Sequence, residues 1–99
     1  MQHFYPPDFD RDMGCTASDW LGWLPQAIGE HPWTCQTGAA AVRIGAGTLS
    51  LQWQTAAPRV IGQISIPVLQ VSFRFAAVDE ATRHAFMKRF DLYMQRGGG

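Results

Sequence analysis

The sequence predicts an α+β fold. In it a two-layer antiparallel β-meander of three to four strands carries a short, kinked N-terminal helix and a C-terminal amphipathic helix on one face. Three observations predict it. The middle of the chain alternates apolar and polar residues with a period of two, the C-terminal stretch repeats apolar residues at helical spacing, and a hydroxyl followed by an acid opens an apolar-periodic stretch at residue 16. A chain of 99 residues holds a single domain, 1–99, with 46% apolar and 12% aromatic residues to build its core.

Residues 1–15 read as an irregular acidic and aromatic arm, because Pro6-Pro7 fixes φ twice and removes two N–H donors, which forbids a helix there. Residues 16–29 form the short helical region: Thr16 is a hydroxyl N-cap with Asp19 three residues later, and Trp20, Trp23 or Leu24, and Ala27 or Ile28 recur on one face. Pro25 would clash with the carbonyl of Leu21, so a kink or a division into two pieces is expected around Gly22–Pro25, with Gly29 as the stop and residues 30–33 as a linker.

Residues 40–77 read as the sheet. Val42 and Ile44 alternate with Ala41 and Arg43, Gly45-Ala46-Gly47 turns, and Leu49, Leu51 and Trp53 alternate with Ser50, Gln52 and Gln54. A second turn is expected at Ala56-Ala57-Pro58. Ile64, Ile66 and Val68 then keep one phase, but after Pro67 the apolar set moves by one residue to Leu69, Val71, Phe73 and Phe75. Such a slip flips the side chains to the other face, so Pro67 marks either a bulge in one long edge strand or a break between two strands. Residues 79–96 form the C-terminal helix, capped by Asp79 and apolar along Phe86, Met87, Phe90, Tyr93 and Met94, with 97–99 as a flexible glycine tail.

Eight basic and eight acidic residues cancel, but unevenly. Residues 1–30 carry a net −4, residues 31–78 contain no acid and carry +3, and residues 79–99 carry +1. The opposite signs place the acidic arm against the Arg-bearing sheet face or its rim. Zero net charge argues against nucleic-acid binding by bulk charge, and the outward sheet face has no aromatic residues on which bases could stack. Double-stranded RNA-binding domains share the helix–strands–helix order, but they carry a basic cluster where this second helix begins Asp79-Glu80. No apolar stretch approaches a membrane span, and the N-terminus lacks a basic start and an apolar run, so a cytoplasmic location is expected.

No phosphate-loop, dinucleotide, nucleophile-elbow or zinc-protease motif is present, so a non-catalytic role is expected. Cys15 and Cys35 lack paired spacing and read as buried structural residues. Asp8, Asp10 and Asp12, with Asp19 at the twelfth position of the same register, resemble the acid spacing of a calcium loop. Met13 stands where the loop's turn needs Gly, Asp19 is short for a bidentate ligand, and Pro6-Pro7 removes the entering helix. The alternative is a solvated acidic loop. Trp20, Trp23 and Trp33 either pack on the sheet with Trp53 or line a binding groove. The sheet face bearing Arg43, Ser50, Gln52, Gln54, Gln63, Ser65, Gln70, Ser72 and Arg74 is either solvated or an interface, a homodimer among the candidates.

The leading expectation is a non-catalytic protein-interaction or self-association module, meeting a protein partner or a second copy, with Trp20, Trp23, Trp33, Arg43 and Arg74 as candidate contacts. A small-ligand-binding protein or enzyme subunit with an aromatic pocket between helix and sheet is the alternative. Calcium binding by the Asp8–Asp12 loop is the weaker one.

Overall fold

In the computed structural model, which describes residues 4–96, the chain runs β1 (Asp8–Met13), α1 (Ala17–Ile28), β2 (Trp33–Gln36), β3 (Ala39–Ile44), β4 (Gly47–Ile61), β5 (Ile64–Ala76) and α2 (Glu80–Arg96). The strands form one antiparallel sheet in the order β1-β5-β4-β3-β2. The expected class, α+β with an N-terminal and a C-terminal helix, is the observed one. The sheet has five strands rather than three or four, and it extends beyond 40–77 at both edges. The glycine tail at 97–99 lies outside the described residues.

The first extra strand comes from the expected irregular arm. Pro6-Pro7 forbids a helix but not an extended chain, and the amide of Phe75 donates to the carbonyl of Pro7 at 2.8 Å just before β1 begins. Within β1, Phe9, Arg11 and Met13 point to the core side while Asp8, Asp10 and Asp12 stay exposed. Phe9 stacks on Phe73 with ring centroids 4.7 Å apart. The arm therefore lies at the rim of the Arg-bearing face, paired with β5, and Asp10 bridges Arg74 at 2.9 Å. That exposed pair contributes little beside the backbone ladder and the stacked ring. The second extra strand, β2, begins at Trp33, at the end of the expected linker.

Helix α1 runs as one element through Pro25, so the chain is not divided into two pieces there. Leu21 and Pro25 are both exposed, so water can take the carbonyl that the proline leaves without a donor. Its start follows the sequence reading. Thr16 Oγ1 accepts from the Asp19 amide at 3.0 Å, and the Asp19 carboxylate accepts from the Thr16 amide at 3.3 Å.

The turn expected at Ala56–Pro58 is not formed. β4 runs on to Ile61 and turns at Gly62-Gln63, where Gly62 adopts φ +60°, a conformation that glycine takes without strain. Ala57 and Pro58 instead form an irregularity in β4, between the pairs Ala56–Val68 and Arg59–Ile66. β5 passes through Pro67 unbroken. Pro67 is tolerated because β1 ends at the Met13–Leu69 pair, leaving β5 with a neighbour on one side only.

The helices cover one face of the sheet. Trp20 and Leu24 from α1, Phe90 and Met87 from α2, and Leu51 and Phe73 from the sheet are fully buried between the layers. Asp79 caps α2 by accepting from the Thr82 amide at 2.7 Å, and hydrogen bonding with the Thr82 side chain, then with this amide, holds its carboxyl below the usual range. Asp91, on the polar side of α2, receives two hydrogen bonds from Arg11 at 2.6 and 3.1 Å and one from the Tyr5 hydroxyl at 2.8 Å. Burial, and then the bond to Asp91, push the Tyr5 phenol above its ordinary value of 10.0. A raised folded value means that the folded state holds this proton more tightly. The resulting stabilisation is full below pH 10.0 and is lost as pH rises through the folded value. Alkaline denaturation curves should therefore steepen above about pH 10, and less so for Tyr5→Phe. Identical slopes for the two proteins would remove Tyr5 as the cause.

Candidate interaction surface

Among the described residues, none covers the side of the sheet away from the helices. Its rows follow from the register. Asp8, Arg74, Ser50, Ala41 and Thr34 form one row, and Asp10, Ser72, Gln52, Ala39 and Gln36 form the next. Asp12, Gln70 and Gln54 form a third, in which the Gln54 amide donates to Gln70 Oε1 at 3.1 Å. The face is concave there. A trough of about 700 Å³ has the Gln and Ser residues as its floor, Asp10 and Asp12 on one wall and the Thr37-Gly38 turn on the other.

Past the third row the β4–β5 ribbon leaves the body of the sheet. β3 begins pairing at Gln52 and β1 stops at Leu69, so neither flanks the ribbon near its tip. Residues on the trough side of the ribbon change character. Ala56 pairs with Val68, Arg59 with Ile66 and Ile61 with Ile64. Ile61 is 59% exposed and Ile64 64%, and Val60 on the opposite side of the ribbon is 67% exposed. This accounts for the phase slip at Pro67. Where helices lie over the sheet, the apolar residues of β5 face them; beyond the helices, Ile64, Ile66 and Val68 take the other face. Gln63 and Ser65, expected on the polar outward face, lie elsewhere: Gln63 in the turn, and Ser65 paired with Val60.

The candidate contacts of the sequence reading are dispersed. Trp20 is fully enclosed, with its ring 5.6 Å from Trp53 and 5.8 Å from Phe90, and so presents nothing to a groove. Trp23 and Trp33 are half-buried against the core from α1 and β2. Arg43 and Arg74 both lie on the open face, Arg74 tied to Asp10 and to the carbonyls of Phe9 and Phe73. What the sequence reading missed was the ribbon, although the misplaced apolar phase was its signal.

The acid spacing does not make a cation loop. Asp8, Asp10 and Asp12 project from one side of an extended strand, where alternate residues stand nearly 7 Å apart rather than converging. Asp19 is occupied in the cap of α1. Among the described residues, no group of three or more His, Cys, Asp or Glu is placed to hold a metal ion. Cys15 is buried as expected, and burial, then the charge of Asp19, raise its thiol above the ordinary value. Cys35 is exposed on the edge strand β2, contrary to expectation, because the helices do not extend over that edge. Among the described residues no helix is long and apolar enough to cross a membrane. No protein-family model, curated protein or solved structure matches the chain.

Proposed function

We propose that this chain is a non-catalytic protein-interaction module whose contact surface is the helix-free face of the sheet together with the β4–β5 ribbon. The ribbon carries the reading. Val60, Ile61 and Ile64 form an exposed apolar end on a molecule whose other polar strand positions keep to the alternation expected of a solvated face. Leaving three large aliphatic side chains in water forgoes roughly 1.5–3 kcal/mol for each, which a binding partner would recover. The trough supplies what an apolar end lacks, amides and carboxylates that fix orientation.

Site-specific photo-crosslinking in cells tests this. A photoreactive phenylalanine at position 61 or 64 is expected to give discrete adducts with protein, and one at Leu21, exposed on α1, none. Absence of any protein adduct from either ribbon position would remove the reading.

A further inference from the structure

We draw no further inference here: the strongest candidate, the exposed aliphatic tip of the β4–β5 ribbon beside the trough of the sheet, belongs to the interaction surface already described, and nothing in the structure shows what covers it.

Discussion

Trp20→Ala is expected to cost about 3–5 kcal/mol, enough to unfold a domain whose total stability is on the order of 5–15 kcal/mol. The indole is fully buried, packs on Trp53 and Phe90, and lies where α1, α2 and the sheet meet. No neighbouring backbone can collapse into the space without separating the layers, so the cavity penalty adds to the lost transfer energy. Trp20→Phe should cost far less, about 1–2 kcal/mol. The Trp20 indole nitrogen is buried without a hydrogen-bond partner among the described residues. An orphaned donor of this kind costs about 1–3 kcal/mol, and the phenyl ring removes it along with the missing ring volume. Urea denaturation of the two variants measures the difference. Both variants lack the indole N–H, so the difference reads the space that the phenyl ring fills, and equal losses would mean that it fills none of the cavity.

The legible parts of this fold were those in which local chemistry and tertiary burial agree. Thr16 and Asp19 form the cap that their spacing announces, and Phe86, Met87, Phe90 and Met94 bury the face that their period announces. The errors arose where one local signal stood for several outcomes. Pro25 removes one helical bond, and whether that divides the helix into two pieces depends on whether the freed carbonyl meets water, which the sequence does not state. Asp8, Asp10 and Asp12 alternate with the inward-facing Phe9, Arg11 and Met13 as in a strand, but charge on an alternating face resembles a ligand loop until the neighbouring strand is known. Pro58 suggested a turn because a proline in a central strand is penalised, whereas here it stands in a ribbon flanked on one side only. The contact surface was partly visible. The polar residues of its trough were assigned to one outward face from their alternation, and the slip at Pro67 was noticed. That the slip marks the end of helix cover depends on how far α1 and α2 reach across the sheet, a long-range property.

Arg83→Met is expected to cost about 2–4 kcal/mol, although no period or motif singles this residue out on α2. Arg83 is 8% exposed, and its guanidinium donates to two carbonyls outside the helices, Tyr5 at 2.9 Å and Val78 at 2.8 Å. The first belongs to the segment leading into β1. The second belongs to the connection from β5 to α2, where Ala77 holds φ at +58° without being glycine. Arg83 therefore ties the start of the chain to the entrance of the last helix, with Asp79 as the nearby countercharge. Methionine retains the apolar stem but leaves both carbonyls without their donor, and charge-assisted bonds of this type contribute about 1.5–3 kcal/mol each. Arg83→Lys should fall between, since one ammonium cannot reproduce the spread of a guanidinium across two acceptors. The loss should be local before it is global. Exchange of the Phe75 amide, bonded to Pro7 beside the released segment, should accelerate in Arg83→Met more than that of amides in the β3–β4 ladder. Uniform acceleration across both would show that Arg83 supports the whole sheet rather than the docking of its first strand.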